Sequence, residues 1–294
     1  MLLDVLDVFV DCVDKWAEKG VDGRINEAID KFDNWVKDFD KDEQNILAEL
    51  LQRFSYYTKE SVINIIKNLN DEAIEKFGIS NTNSVVSVVR KEDGRLNSSY
   101  EYWMIHQNVS GLSKKIYYDS INSINDEDWM NIKNVVFVDD CSGTGQQFKN
   151  FLKRYSELLL KKHVILIAVE IVEDAKTYIE NYSIQSGIVI DIIYHSKKKK
   201  AFRYTQESIK KIFCGMSKKR DIDANMILGF HNAEALMAFY NNSPNDTLGL
   251  FWFAFGKNNP IFPREMDEDP GWKQSNKKKK ERRRKQYESK CERK

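Results

Sequence analysis

The chain is short of the residues on which many sites are built. Its four cysteines, Cys12, Cys141, Cys214 and Cys291, lie far apart in 294 residues and make no C-x-x-C. With no signal peptide at the start, they read as reduced thiols and imply a cytoplasmic location. Long apolar runs are also missing. The run Val164 to Val169 is stopped by Glu170 and is far too short to cross a bilayer, so no membrane partner is expected. The four histidines, His106, His163, His195 and His231, are isolated in sequence, and none announces itself as a catalytic base. No internal repeat is apparent. Nor does either sign of charge dominate, since the net charge is +1. That balance hides a division. Lys273 to Lys294 holds 12 Lys and Arg against 3 Asp and Glu, and the rest of the chain is acidic.

What is there concentrates between Asn134 and Asn150, N-V-V-F-V-D-D-C-S-G-T-G-Q-Q-F-K-N. Val135 to Val138 are apolar without alternation, which predicts a strand buried on both faces at the centre of a parallel sheet. Asp139 and Asp140 follow, then the small-residue turn Cys141-Ser142-Gly143-Thr144-Gly145. Phe148, Phe151, Leu152, Tyr155, Leu158 and Leu159 then recur at helical spacing. Free N–H groups at a helix start favour an anion, and glycines let backbone approach it. Two carboxylates would repel that anion but accept hydroxyls, as a ribose diol offers. The stretch therefore predicts a ribose 5-phosphate site: the diol on Asp139 and Asp140, the phosphate on Cys141, Ser142, Gly143, Thr144, Gly145, Gln146 and Gln147. A P-loop is excluded because no Gly-Lys-Ser/Thr is present. A dinucleotide fingerprint is excluded because Phe148 stands where its third glycine belongs. Cys141 at a helix start could be a reactive thiolate, but a phosphatase loop would require Arg where Gln147 stands.

V-V-F-V-D-D-C-S-G-T-G resembles the phosphoribosyl-diphosphate-binding motif of type I phosphoribosyltransferases. The resemblance implies that Asp139 and Asp140 hold ribose hydroxyls and that the loop from Ser142 to Gln147 holds the 5′-phosphate. The sequence departs from the motif at Ser142, Gly143 and Gln147, where apolar, Thr or Ser, and Thr residues are usual. A second signature comes late in the chain: Ser243-Pro244-Asn245-Asp246-Thr247-Leu248, then Phe251-Trp252, then Asn259-Pro260-Ile261-Phe262-Pro263-Arg264. Together the two are similar to a phosphoribosyltransferase-like subfamily of bacterial conflict systems, of the PRTase-CE type, some of whose members accompany retrons or other anti-phage loci. The likeness runs over roughly residues 30–265. It implies a phosphoribosyltransferase-type α/β fold, Mg²⁺ bridging ribose and pyrophosphate oxygens, and Asn245, Thr247 and Arg264 as pocket candidates.

Around these motifs, residues 1–80 read as a helical N-terminal segment with four apolar stripes, and Gly78 as a C-cap. Trp16 and Trp35 read as packing anchors. The acidic balance of this segment argues against a DNA-binding helix-turn-helix. Residues 81–268 read as the α/β domain, a parallel sheet flanked by helices. Its strands are expected at 84–90, 100–106, 135–138, 164–172, 188–194 and 248–255, and a helix at 233–240. The loop after the first strand holds Lys91, Arg95, Ser98 and Ser99, which occupy the place of a pyrophosphate loop. Lys197 to Lys200 read as a solvated loop just beyond a strand's carboxyl end, a place from which they could also face an anionic ligand. Residues 269–294 read as a disordered basic tail suited to nucleic acid or an acidic defence-system partner. The expected ligand is phosphoribosyl diphosphate or a nucleotide. The expected role is ribosyl transfer or glycosidic cleavage in anti-phage defence, with a non-catalytic nucleotide or ribose-phosphate sensor, or a partner-binding module, as the alternative.

Overall fold

The computed structural model describes residues 4–18, 20–90, 98–254 and 257–264, all within one compact unit. Lys91, Arg95 and the basic tail lie outside the described residues. In chain order the helices α1 (Val5–Ala17), α2 (Gly23–Val36) and α3 (Lys41–Leu51) lead to a short strand β1 (Ser55–Tyr57) and helix α4 (Lys59–Phe77). Then come β2 (Ser84–Ser87), α5 (Ser98–Val109), β3 (Tyr117–Tyr118), α6 (Asp126–Asn131), β4 (Asn134–Ser142), α7 (Gln146–Arg154) and α8 (Ser156–Leu159). The chain continues through β5 (His163–Val172), α9 (Glu173–Ser186), β6 (Val189–Lys198), α10 (Glu207–Lys219) and β7 (Met237–Phe239).

The helix starts are written locally. Asp4, Asp22, Asp40, Thr58 and Asn125 each cap a helix by accepting backbone N–H bonds, a role to which short polar side chains are suited. Asp40 and Glu43 complete a reciprocal capping box. Gly78 ends α4 in the left-handed conformation, as its position after the last apolar residue predicts.

Five strands form one parallel sheet in the order β3-β2-β4-β5-β6. The central strand is β4, whose Val135, Val136, Phe137 and Val138 are fully buried. It pairs with β2 from Ser84↔Asn134 and with β5 from Asn134↔His163. One hydrophobic core surrounds this sheet and takes Val62, Ile66 and Leu69 from α4, Tyr102 from α5, and Phe148 and Phe151 from α7. A second core joins α1–α3 to residues 201–262. There Phe9 stacks on Phe32 at 3.7 Å, Trp16 meets Phe54 and Phe262 edge-on, and Trp35 lies against Phe251 at 5.7 Å. Trp16 and Trp35 are thus the packing anchors their stripes suggested. Strands β1 and β7 pair in parallel and form the seam between the cores. Tyr57, Met237 and Phe239 enter the first core, and Tyr56 and Ala238 the second, as alternation along a strand requires.

Several sequence expectations give way. Tyr100 to His106 is helix α5, not a strand. Its buried residues Ser99, Tyr102, Trp103 and His106 follow helical spacing, which outweighs the strand preference of its aromatics. Residues 233–240 do not form a helix. Met237 to Phe239 are drawn into pairing with β1, and the positive φ of His231, Asn232 and Glu234 blocks a helix before them. Of the strand expected at 248–255, the described residues 248–254 hold a 3-10 turn at Gly249–Phe251 instead. Lys197 and Lys198 belong to β6 itself. The helix after the acidic pair breaks at Tyr155 into α7 and α8.

Candidate ribose-phosphate site

β4 delivers Asp139 to Ser142 to the carboxyl edge of the sheet at its centre, the usual ligand position in open α/β sheets. Gly145 then starts α7 at φ +73°. A Cβ there would lie 3.0 Å from the Ala175 carbonyl oxygen and 3.0 Å from Ile179 Cγ1, so glycine is required by both conformation and space. The resulting turn offers donors. Among the described residues, the Gln146 N–H is taken by Thr144 Oγ1 at 3.3 Å. No acceptor among the described residues meets the N–H groups of Thr144, Gly145 or Gln147. Free N–H groups at the start of a nine-residue helix make an anion-binding concavity.

The acidic pair is held tightly. Asp139 Oδ1 accepts the Asp140 N–H at 3.0 Å, and Asp140 Oδ1 accepts the Cys141 N–H at 2.8 Å and the Ser98 hydroxyl at 3.1 Å. Burial first, and then the Asp140 carboxyl beside it, hold Asp139 well above the usual carboxylate range. The pair therefore carries less than two full negative charges and opposes a nearby phosphate less than the sequence alone suggests. A third carboxyl joins them. Asp246 is pushed up to about 6 by burial and then by Asp140, while the Gly143 N–H and Arg264 pull the other way. Cys141 is pushed up by burial and by Asp140, Asp246, Asp139 and Glu170. That direction disfavours the thiolate and counts against the reactive reading of Cys141.

A cleft of about 340 Å³ opens on the helix side of the turn, lined by Gly143, Thr144, Gln146, Asp174, Tyr178, Lys200 and His231. Asp139, Asp140 and Asp246 are not among the residues that line it. Tyr178 donates to Gln146 Oε1 at 2.7 Å and accepts from Lys149 at 2.8 Å, which ties α9 to the start of α7. Lys200, from the lysine run, reaches the cleft and pairs with Asp174 at 3.4 Å. His231 stands at φ +52°, an uncommon conformation for its residue type. The other histidines are placed in packing. His106 is buried, bonded to the Tyr117 hydroxyl at 2.8 Å, and pushed down to about 4 by burial. His163 pairs with Asp191 at 2.8 Å, and His195 meets Tyr57 edge-on.

The remaining candidates divide. Ser98 reaches the acidic pair, whereas Ser99 is buried and donates to the Val89 carbonyl at 3.2 Å. Asn245 gives its carbonyl to the Phe230 N–H at 2.8 Å. Thr247 is fully buried, donates to the Met237 carbonyl, and accepts the Trp252 indole N–H through its own carbonyl. Arg264 donates to the Ser243 carbonyl and lies over the Trp252 ring at 6.0 Å. Sequence reading passed over Asp246 and His231. The signal for Asp246 was its place inside Pro244-Asn245-Asp246-Thr247; for His231, a lone residue in an irregular stretch, there was none.

A family model described as PRTase-CE matches residues 32–264. The chain belongs to the PRTase-CE family. As a PRTase-CE protein it is phosphoribosyltransferase-like, and both sequence signatures fall inside the matched span. Among solved structures it is similar to the xanthine-guanine-hypoxanthine phosphoribosyltransferase of Helicobacter pylori, at 12% identity and a TM-score of 0.33, over 53% of this chain and 95% of that one. It is also similar to a hypothetical protein from Neisseria gonorrhoeae with bound ppGpp, at 12% identity and a TM-score of 0.31, over 54% of this chain and 95% of that one. No curated protein matches the chain. Among the described residues no helix is long and apolar enough to cross a membrane.

Proposed function

We propose that this PRTase-CE protein binds a ribose 5-phosphate ligand, either phosphoribosyl diphosphate or a nucleotide, at the turn between β4 and α7. The supporting observation is the joining, in one turn, of a hydrogen-bonded carboxyl pair and a helix start with N–H groups that meet no acceptor among the described residues. The phosphate takes the N–H groups of Thr144, Gly145 and Gln147, and the ribose hydroxyls bond to Asp139 and Asp140, at about 1.5–3 kcal/mol for a bond to a carboxyl that carries its charge. Ser98 and the Cys141 N–H hold Asp140 in place for this.

The reaction that fits is ribosyl transfer or cleavage of a glycosidic bond, in the setting of bacterial anti-phage defence. Fixed donors and carboxylates around the ribose stabilise charge that develops at its anomeric carbon. His231 and Lys200, across the cleft from the turn, are the groups of this chain placed to meet the remainder of the ligand. Mg²⁺ is implied by the family. Among the described residues no three His, Cys, Asp or Glu side chains form a cage for a metal ion. That donor set fits a cation that binds through one or two carboxylates and the ligand's own phosphates. Asp139 and Asp140 are the carboxylates in place, and the bound ion would offset phosphate charge.

The test is calorimetry with phosphoribosyl diphosphate and Mg²⁺ on the wild type and on the double variant Asp139→Asn, Asp140→Asn. Binding by the wild type that the variant loses, with its thermal unfolding unchanged, supports the reading. Equal binding by both proteins overturns the ribose assignment.

A further inference from the structure

Asp246 is absent from the phosphate-loop motif, yet the structure brings it against that loop. A Cβ on Gly143 would lie 2.4 Å from Asp246 Cγ and 2.5 Å from its Oδ2, so the carboxyl fills the space that any other residue at 143 would need. The Gly143 N–H is among the influences on that carboxyl, as is the charge of Asp140. The backbone of Asp246 is fixed as well. Its carbonyl accepts the Ala235 N–H at 3.1 Å. A Cβ on Gly229 would come 2.0 Å from the same carbonyl oxygen. Two glycines from separate parts of the chain thus make room for one aspartate, its side chain at the loop and its backbone on the segment that carries His231.

The placement has a chemical consequence. A bare anion entering the loop meets a carboxylate next to the first of the loop's N–H groups, and like charges so close oppose binding. A phosphate ester that carries hydroxyls reaches the same loop while donating hydrogen bonds to Asp139 and Asp140, which offset that repulsion. Charge rejection of one ligand and hydrogen bonding of another together make selectivity.

We propose that Asp246 is a specificity-determining residue that makes the loop reject inorganic phosphate and accept a phosphate ester bearing donor hydroxyls. This rests on the ribose-phosphate reading of the site. Asp246 acts in the folded site through its charge, and Arg264, the cation that faces it, tempers that charge without removing it.

The experiment measures binding of inorganic phosphate and of ribose 5-phosphate by calorimetry on the full chain, for the wild type, Asp246→Asn and Asp246→Ser. Thermal unfolding checks each variant, and the serine variant serves if the amide is not accommodated. The expected result is an affinity for inorganic phosphate that rises by at least about tenfold on loss of the carboxylate, with ribose 5-phosphate changing by less than about threefold. Unchanged or weaker phosphate binding in the variants overturns the inference alone, provided ribose 5-phosphate binds the wild type. An equal gain for both ligands also overturns it, because a uniform barrier selects nothing. If neither ligand binds any of the proteins, the site reading fails and the inference with it.

Discussion

Glu170 gives a prediction whose size can be worked out. It lies on β5 opposite Cys141 in the register, is fully buried, and accepts the Tyr57 hydroxyl at 2.6 Å on Oε2. Its other oxygen is buried and meets no partner among the described residues. Burial raises its pKa from 4.5 to about 6, against the opposing pull of Tyr57, Lys198 and Ser55. An acid whose folded pKa is raised is bound to its proton more tightly in the folded state. The stability it contributes is full below pH 4.5 and is lost as the pH climbs through about 6. At about 1.4 kcal/mol for each tenfold change in proton affinity, the loss is about 2 kcal/mol by neutral pH. Glu170→Gln keeps an acceptor for Tyr57 and does not titrate. Urea unfolding of both proteins from pH 4 to pH 7.5 should show the variant gaining about 2 kcal/mol on the wild type across that range. Asp139 and Asp246 titrate in both proteins and cancel in the difference. A difference that stays flat with pH would refute the reasoning, since Glu170 would then ionise alike in the folded and unfolded chains.

Gly145→Ala should lose about 1–3 kcal/mol in urea unfolding, from the left-handed backbone and the contacts with Ala175 and Ile179, and should also weaken ribose 5-phosphate binding in calorimetry. Cys141 should resist alkylation by iodoacetamide at pH 8, with peptide mapping after labelling of the native protein as the readout, because burial and four carboxyls hold it as the thiol. Trp35→Ala should cost about 3–5 kcal/mol in the same unfolding assay, since the ring is buried between Phe32, Phe39 and Phe251.

The centre of the fold was legible because its signals are local. Val135 to Val138 needed no partner to be read as a buried strand, and the acids, glycines and helix start that follow it are contiguous. The helix cap read at Gly78 is equally local. What failed depended on distant partners. Met237 to Phe239 carries helix formers in its neighbourhood but is captured by β1, some 180 residues away in the chain. Tyr100 to His106 has strand-forming aromatics, and its helical face emerges only when Ser99, Tyr102, Trp103 and His106 are seen packed together. Asp246 reaches the turn through its contact with Gly143, and His231 lines the cleft beside it, so no spacing along the sequence marks them. The Lys197 to Lys200 run left two readings open, a solvated loop or a face toward a ligand, and only packing shows that Lys200 lines the cleft beside Asp174.

The central claim is that the turn between β4 and α7 holds a ribose 5-phosphate group. Calorimetric titration with phosphoribosyl diphosphate and Mg²⁺, on the wild type and on the Asp139→Asn, Asp140→Asn protein, tests it most directly. The account predicts saturable binding by the wild type and none by the folded double variant. Equal binding by the two proteins, or none by the folded wild type, would contradict it.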